Sequence, residues 1–468
     1  MSFVVYDIAF MTLFILLFVI FIVTRKHNLH RQGMLFLYRT RLGIKFIEWT
    51  SNKFAKVLRP LEYLVVACGY VLMIGAVWVV IDIAYIYIKS PFIAKVIEAP
   101  PIFPIFPYFT EFFNLESFFP PFYFTYFVVV IAIIAVSHEF AHGIFARLNK
   151  VKIHSTGFAF LGPFIGAFVE QDDKQMNKAK KFSQLSILAA GTFANIVMMV
   201  LFALVMWWFF AATFAPVGIN FDTYTFEVIP AANLSFQGIP ITSLNLSTIP
   251  SNASTLALMA YGKTYHTHQD ALKNSLAQNS PYLMVFEDSP AFKAQLTGAI
   301  TEIDGKKVTS YESLRNILQD YKEGDRVKVK TLQGKEVKEY EIELAEKDGR
   351  PYLGISSFAR QRGGILGGLY KVIYGMKDPY IEYSSKIGDF GVFIYNLLWW
   401  IILLNLLVAF TNMLPVGIFD GGRFFFITIW GITKSKRTGE RAFAISTWAI
   451  IAIVALMMVR WFFTFFFQ

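Results

Sequence analysis

The sequence is poor in cysteine, with Cys68 as its single cysteine in 468 residues. An intrachain disulfide is therefore excluded, and the apolar run around Cys68 predicts a small packed residue. A basic stretch before the first apolar run, 3–23, is missing, and that run contains Asp7. We therefore expect a retained membrane helix there and no cleaved signal peptide. An inverted repeat is not visible, which argues against a transporter built from two related halves.

Apolar residues are abundant instead. The chain is 55% hydrophobic and 17% aromatic, with a mean hydropathy of +0.49, which is outside the range of ordinary soluble domains. The composition predicts a polytopic α-helical membrane protein with about six transmembrane helices. The expected spans are 3–23, 61–88, 122–148, 184–213, 392–414 and 442–467.

The formal net charge of +10 comes largely from basic residues at the ends of apolar runs. This placement favours contact with the lipid bilayer and its anionic headgroups, and we expect no nucleic-acid partner. Residues 25–60 hold nine Lys or Arg against one acid, Glu48. The positive-inside rule makes this segment cytoplasmic, as either a surface helix or a solvated loop. It follows that 214–390 is extracytoplasmic.

The chain divides by composition into four regions. The first has two helices, the basic segment and a Pro/Phe-rich outer segment, 89–121, in which proline excludes a continuous helix. The second region ends with two features. One is a short apolar stretch, 157–170, that is predicted to form a re-entrant β-hairpin, and the other is the fourth span. The third is polar, and the fourth returns to the membrane. These regions are 1–121, 122–213, 214–390 and 391–468.

A His-Glu-x-x-His motif lies inside the third expected span, in the cytoplasmic half of the membrane. On a helix, His138 and His142 share a face, so both can hold one metal ion while Glu139 stands beside them. Two imidazoles and an open position for water suit one catalytic Zn²⁺. The alternative is a pair of histidines that bond across a helix bundle. Three ionisable groups within one membrane-embedded turn favour the metal site.

A third ligand must then come from elsewhere, and Asp420 is the expected one. It follows the break at Pro415 and matches the depth of the two histidines. The alternative is that Asp420 caps the helix that follows. Asn412 lies just before the same break, where its amide can donate to a developing oxyanion or bond the free backbone. An intramembrane amide, Asn195, is expected to face the bundle interior.

These motifs resemble those of the site-2 protease family of intramembrane zinc metalloproteases, in the family's order. The segments are His138 to His142, the Gly-rich stretch to Glu170, Gly191 to Asn195, and Asn412 to Gly421. The resemblance implies zinc ligation by His138, His142 and Asp420, with Glu139 as general base. It also implies substrate contacts at Asn412 and Asn195, and cleavage of transmembrane protein substrates in or near their membrane segments.

Within the third region, residues 281–357 resemble a PDZ domain and are expected to form an extramembrane α/β module. The resemblance lies in Asp288 to Ala291, Ile300 to Val308, Leu314 to Leu318, and Gly324 with Asp325. It implies binding of peptide termini at a loop near Tyr352 to Ile355, or a purely steric role. Two further functions remain open for the whole chain, a catalytically silent peptide-binding scaffold and a metal transporter.

Overall fold

The protein is described by a computed structural model that covers residues 3–33, 35–89, 99–161, 164–244, 254–278, 280–358 and 377–466. The chain forms two compact units. Residues 1–209 and 392–468 form the first, which we call the membrane unit. Residues 210–391 form the second, which we call the inserted unit.

The described residues form both helices and strands. The α-helices are α1 (Phe3–Arg25), α2 (Ile44–Lys53), α3 (Ala55–Lys89), α4 (Phe109–Phe112), α5 (Phe124–Leu148), α6 (Asp173–Lys178), α7 (Lys181–Thr213), α8 (Gln269–Ala277), α9 (Pro290–Lys293), α10 (Tyr311–Leu318), α11 (Asp389–Asn412), α12 (Asp420–Thr433) and α13 (Lys436–Phe466). The strands are β1 (Leu29–Gln32), β2 (Leu35–Thr40), β3 (Ile153–Leu161), β4 (Phe164–Gln171), β5 (Phe214–Ile219), β6 (Thr223–Tyr224), β7 (Phe226–Pro230), β8 (Ser235–Phe236), β9 (Ile239–Pro240), β10 (Thr255–Ala260), β11 (Lys263–His268), β12 (Tyr282–Glu287), β13 (Ala299–Ile303), β14 (Lys306–Lys307), β15 (Arg326–Gln333), β16 (Glu336–Glu343), β17 (Ala345–Lys347), β18 (Arg350–Tyr352), β19 (Ile355–Ser356) and β20 (Ile381–Ser385).

Six helices of the described residues are long and apolar enough to cross a membrane, namely α1, α3, α5, α7, α11 and α13. The sequence predicted these six. Two of them begin before their apolar runs, α3 at Ala55 and α13 at Lys436. The helical hydrogen-bond ladder does not depend on lipid, so a helix can continue through charged residues beyond the hydrocarbon.

Helix α3, to which the sequence assigned no role, is part of the core of the membrane unit. At its start, the Glu62 carboxylate accepts hydrogen bonds from Asn149 Nδ2 at 2.6 Å and Ser186 Oγ at 2.8 Å. These bonds join α3 to the end of α5 and the start of α7. The apolar cluster beside them includes Val65 and Leu72 of α3, Phe145 of α5, Leu188 of α7, and Phe424 of α12.

An antiparallel sheet, in the order β1-β2-β3-β4, belongs to the membrane unit. Strands β3 and β4 form a hairpin that includes the stretch 157–170, where the sequence predicted strands. The prediction of a surface helix or solvated loop over 25–60 missed β1 and β2. Strand β2 pairs with β3, from Phe36 opposite Phe160 to Thr40 opposite Thr156. Because its partner lies over 100 residues away, no local pattern in β2 reveals the pairing.

The Pro/Phe-rich segment is irregular where it is described, from residue 99 onward, apart from the single turn of α4, and its rings pack on α11. Trp400 is 1% exposed and lies against Phe109 and Phe122, with ring centroids 5.6 and 4.6 Å away. The indole Nε1 donates to the Pro121 carbonyl at 3.1 Å. This part of the expected outer segment therefore contacts protein. Residues 90–98 of it lie outside the described residues.

The inserted unit contains two larger sheets. One has the order β7-β12-β11-β10-β8-β9, and the other has β16-β15-β13-β5-β20 with β14 on β13. The first sheet and α8 enclose a core with Leu258 and Leu272, and the second encloses one with Ile300 and Leu314 of α10. These separate cores show that the unit holds two modules.

The second module corresponds to the PDZ-like region expected at 281–357, but its boundaries differ. Strand β12, at the start of that range, pairs with β7 in the first sheet. Strands β5 and β20, from outside the range, complete the second sheet. The prediction assigned β12 to the wrong module because alternating apolar residues indicate a strand without identifying its partner.

Candidate metal centre

Helix α5 brings the two motif histidines together. The Nε2 atoms of His138 and His142 are 3.0 Å apart, and the rings meet edge to face with centroids 4.6 Å apart. The two residues are 7% and 6% exposed. Residues four apart on a helix share a face, so this geometry follows from the sequence spacing.

Asp420 completes a triangle of donor atoms. Its Oδ2 lies 3.3 Å from His138 Nε2 and 3.2 Å from His142 Nε2. Asp420 is the first residue of α12, and Phe419 holds the N-cap position, so the carboxylate does not serve as that cap. At Gly421, a Cβ would lie 2.3 Å from the carbonyl carbon of Met413. Glycine therefore lets α12 begin against the end of the preceding segment, which aims Asp420 at the histidines.

The outer partners of the imidazoles decide where their protons lie. His142 Nδ1 is 2.7 Å from the Ile187 carbonyl oxygen, which only accepts, so Nδ1 carries the proton. His138 Nδ1 is 3.2 Å from Asn195 Nδ2, while Asn195 Oδ1 is buried without a hydrogen-bond partner among the described residues. Turning this amide by half a rotation would let Nδ1–H donate to Oδ1, with Nδ2 then in the position that has no partner among the described residues. In that arrangement both Nε2 atoms present lone pairs to Asp420.

This donor set fits a metal ion. Two lone pairs and a carboxylate oxygen that face one another repel unless a cation lies between them. Zinc bonds of about 2.0–2.1 Å in a tetrahedron place neighbouring donors about 3.3 Å apart, and the three separations here are 3.0, 3.2 and 3.3 Å. His138, His142 and Asp420 could therefore hold one ion.

Helix α7 passes so close to the centre that it requires a glycine there. A Cβ on Gly191 would lie 2.4 Å from His142 Nε2 and 2.6 Å from His138 Nε2. Any side chain at this position would displace the donor atoms. Gly191, which belongs to the motif segment that ends at Asn195, therefore sets the distance between α7 and α5.

The carboxylate of Glu139 meets the β-hairpin. Its Oε2 accepts the backbone N–H of Val169 at 3.0 Å. Val169 belongs to β4, which is the outermost strand of its sheet. The edge of this sheet therefore lies beside the motif helix, as the sequence-based prediction of a hairpin near the site requires.

Arg39 contributes to the placement of β4, although no local sequence pattern indicated it. Its guanidinium contacts Glu170 through two bonds of 3.0 and 3.1 Å, across the intervening strand β3. The hydroxyl of Ser155, followed by Arg39, lowers the pKa of Glu170 below its usual value. Because Glu170 follows Val169, this ion pair supports the strand that contacts Glu139.

Asp7 of α1 caps the other end of the motif helix. Its carboxylate accepts the backbone N–H groups of Phe124 and Thr125, both at 2.8 Å, and the hydroxyl of Tyr108 at 2.6 Å. Asp7 is 3% exposed. The first N–H groups of a helix lack partners within it and favour a negative charge. An acid inside an apolar run was the available signal, but it did not identify this partner.

The two predicted substrate-binding asparagines have different surroundings. Asn195 is fully buried, and its amide lies 3.2 Å from His138 Nδ1, so its role as a substrate contact stays a prediction beside a second possible role in orienting this imidazole. Amides in this position orient a ligand and fix its tautomer. Asn412 is the last residue of α11 and is partly buried, eight residues before Asp420. Its role stays a prediction.

The fold and these donors define a class, a multi-pass membrane protein with a candidate metal centre of two histidines and one aspartate between its helices. The sequence model of peptidase family M50 matches residues 126–458, well over half of the 468 residues. The chain belongs to peptidase family M50. This membership confirms the resemblance to site-2 proteases.

Two individual proteins are similar to parts of the chain. An uncharacterized protein of Methanocaldococcus jannaschii is 41% identical over 71 residues, which is 15% of this chain and 19% of the relative. The match therefore spans about a fifth of that relative's length. A solved PDZ domain of an SdrC-like protein from Listeria monocytogenes has 34% identity and a TM-score of 0.14, and covers 14% of this chain and 75% of its own.

Proposed function

We propose that this protein is a zinc metalloprotease that hydrolyses peptide bonds in or near the transmembrane segments of other membrane proteins. The observation that carries the proposal is the triangle of His138, His142 and Asp420 donors with Glu139 on the adjacent position of the same helix. Membership in peptidase family M50 supports it.

The donor types favour zinc. Imidazole suits Zn²⁺, and sites with two histidines and one carboxylate leave a fourth position open for water. A bound zinc ion would polarise the peptide carbonyl and lower the pKa of its water to about 7. Glu139 would accept a proton from the attacking water as its oxygen bonds to the peptide carbonyl carbon, and would deliver that proton to the amine as the C–N bond breaks. The Ile187 carbonyl keeps the His142 proton on Nδ1, and Asn195 would do the same for His138 if its Oδ1 faced the ring, so that both Nε2 atoms would remain ligands.

Strand β4 can receive the substrate. In an antiparallel ladder every second N–H points to the same side, so the N–H of Ala167 points outward like that of Val169. The backbone N–H of Val169 already donates to Glu139. The part of the β4 edge that lies nearer the hairpin turn is therefore left for a substrate strand. A strand paired beside Ala167 would continue toward Glu139. Such pairing also satisfies the backbone of an unwound transmembrane segment, which lipid cannot do.

Charge supports one orientation in the membrane. We propose that 25–60, 171–181 and 433–441 are cytoplasmic, that 214–390 is extracytoplasmic, and that the site lies in the cytoplasmic half of the bilayer. A cysteine at Lys306 in a Cys68→Ala background tests this arrangement. In sealed vesicles of known orientation, we expect an impermeant thiol reagent to react only from the outer side. Labelling from the cytoplasmic side would reverse the topology.

The PDZ-like module offers a groove for a peptide. A cavity of about 360 Å³ lies between α10 and the segment around Leu353, and its apolar lining includes Leu314 and Leu318. Strand β19 pairs with β6 along one edge. An extended peptide terminus can add along its other edge. We propose that this groove selects substrates, either by binding a terminus or by steric exclusion.

The function is tested with purified full-length chain and a transmembrane test substrate. We expect about one zinc per chain, cleavage that a chelator stops, and recovery when zinc is restored. Glu139→Gln should retain zinc and abolish cleavage because it removes the base and keeps the ligands. Glu440→Gln is the matched control, since Glu440 pairs with Lys436 on the surface of α13. Normal cleavage by the Glu139→Gln variant would overturn the mechanism.

A further inference from the structure

Helix α2 presents an apolar and aromatic outer face that nothing in the described residues covers. Leu42, just before the helix, is 75% exposed, and Phe46 and Trp49 are 52% and 50% exposed. Phe54, directly after the helix, is 42% exposed and packs edge to face on Trp49. Large exposed apolar side chains in such a cluster mark a surface that meets another apolar phase.

Basic side chains flank the aromatic cluster of this face. Lys53 Nζ lies 4.6 Å from the centroid of the Trp49 ring and 5.7 Å from that of Phe54, so the ammonium group is held over the aromatic cluster. Glu48, the acid of this stretch, is engaged by Arg147 at 3.0 Å. The exposed basic residues that remain are Arg41, Lys45, Lys53, Lys56 and Arg59.

The inner face of α2 packs against the motif helix, α5. Ile47 is fully buried, and a Cβ on Gly143 would lie 2.9 Å from its Cδ1 and 3.3 Å from Val169 Cγ1. At the N-cap of α2, a Cβ on Gly43 would lie 2.6 Å from Phe140 Cζ. Helix α2 therefore touches both the residue after Glu139 and the residue whose N–H donates to Glu139.

The position of α2 along the membrane follows from its neighbours. It ends at Lys53, and the spanning helix α3 begins at Ala55. It packs on the final turns of α5, from Phe140 to Arg147, where that helix approaches its end at Leu148. Both neighbours place α2 where helices leave the hydrocarbon. Trp, Phe and basic side chains concentrate at that depth.

We propose that α2 is an interfacial helix whose outer face binds anionic phospholipid headgroups, and that this binding holds α5 and β4 in the arrangement seen around Glu139. The aromatic side chains enter the headgroup boundary, and the basic side chains contact the lipid phosphates. The occupant is the membrane's own anionic lipid, because the charge and the depth of the surface match it. The consequence for catalysis rests on the proteolytic function proposed above.

Lipid binding is measured without reference to activity. A bimane label on Leu42→Cys, in a Cys68→Ala background, reports the polarity at the outer face of full-length chain in nanodiscs. We expect a blue shift of emission when phosphatidylglycerol replaces part of the phosphatidylcholine. Lys45→Gln with Lys53→Gln should abolish the shift, because two lysines near an anionic surface contribute roughly 30-fold to binding. Lys436→Gln with Arg437→Gln, which removes equal charge from α13, should leave it intact.

The coupling is measured as kcat on the test substrate in the same nanodiscs. We expect kcat to rise several-fold with phosphatidylglycerol in the unlabelled chain and in the α13 variant, and to stay flat in the α2 variant with zinc content unchanged. Absence of the bimane shift, or an equal loss in both variants, overturns the lipid site. A normal shift with lipid-independent kcat overturns the coupling and leaves the protease assignment intact. If no variant cleaves while the shift persists, the proposed function fails and the lipid site stands.

Discussion

Both units of this protein have exposed ion pairs, but the membrane unit also encloses carboxylates between its helices. In the inserted unit, acids and bases pair at the surface, as in Lys335 with Asp389, whose side chains are 85% and 64% exposed. In the membrane unit, Asp7 is buried and held by several partners, and the partly buried Asp420 lies between helices beside two imidazoles. A solvated pair contributes little to stability, whereas a buried charge that loses its partners is costly. Single substitutions should therefore have large effects in the membrane unit and small ones in the inserted unit.

The largest effect is expected at the metal centre. Asp420→Ala should lose most bound zinc and all cleavage, because two imidazoles leave the ion half-coordinated. Metal analysis after dialysis measures the loss. Asp389→Ala removes the same type of side chain from an exposed ion pair and serves as control. Full zinc content in the Asp420→Ala variant would assign the third ligand to another residue.

The next largest effect is expected at Asn412. If its amide donates to the developing oxyanion, Asn412→Ala should lower kcat by ~100-fold or more, as in comparable sites where one donor contributes roughly 2.7–4 kcal/mol. Zinc content and thermal stability should stay near those of the unmodified chain. A sharp fall in stability with normal turnover by the surviving enzyme would show that Asn412 only bonds backbone at the Pro415 break.

A smaller but measurable effect is expected at the cap of α5. Asp7→Leu leaves the Phe124 and Thr125 N–H groups without their acceptor, which should lower the free energy of unfolding by about 2–3 kcal/mol. Thermal unfolding in detergent measures it. Thr12→Val, which alters an exposed hydroxyl bonded within α1, is the matched control. Equal unfolding temperatures for the two variants would show that Asp7 does not hold α5.

The smallest effect is expected on the surface of the inserted unit. Lys335→Gln breaks the 2.9 Å contact with Asp389 and should change the free energy of unfolding by no more than ~0.5 kcal/mol. Differential scanning calorimetry of the purified chain checks this. A loss as large as that of Asp7→Leu would remove the contrast between the two units.

Prediction from sequence succeeded where the signal is local. Long apolar runs mark the six spans because lipid requires about 20 apolar residues per helix. The spacing of His138 and His142 fixes their common face because both lie on one helix. Asp420 was predicted as the third donor from its motif and from its matching depth in the membrane, and the distances between the donor atoms agree with this prediction. The PDZ-like module was recognised, but its strands were divided incorrectly.

The sequence by itself therefore determined the membrane character, the six helices and the three candidate metal ligands that the fold brings together. Tertiary structure alone decided that β2 extends the hairpin sheet, that Asp7 caps α5 and that Asn195 supports His138. The physical reason is the same in each case. Propensity and periodicity act over neighbouring residues, whereas these contacts join residues at least 57 positions apart and form only when the helices pack.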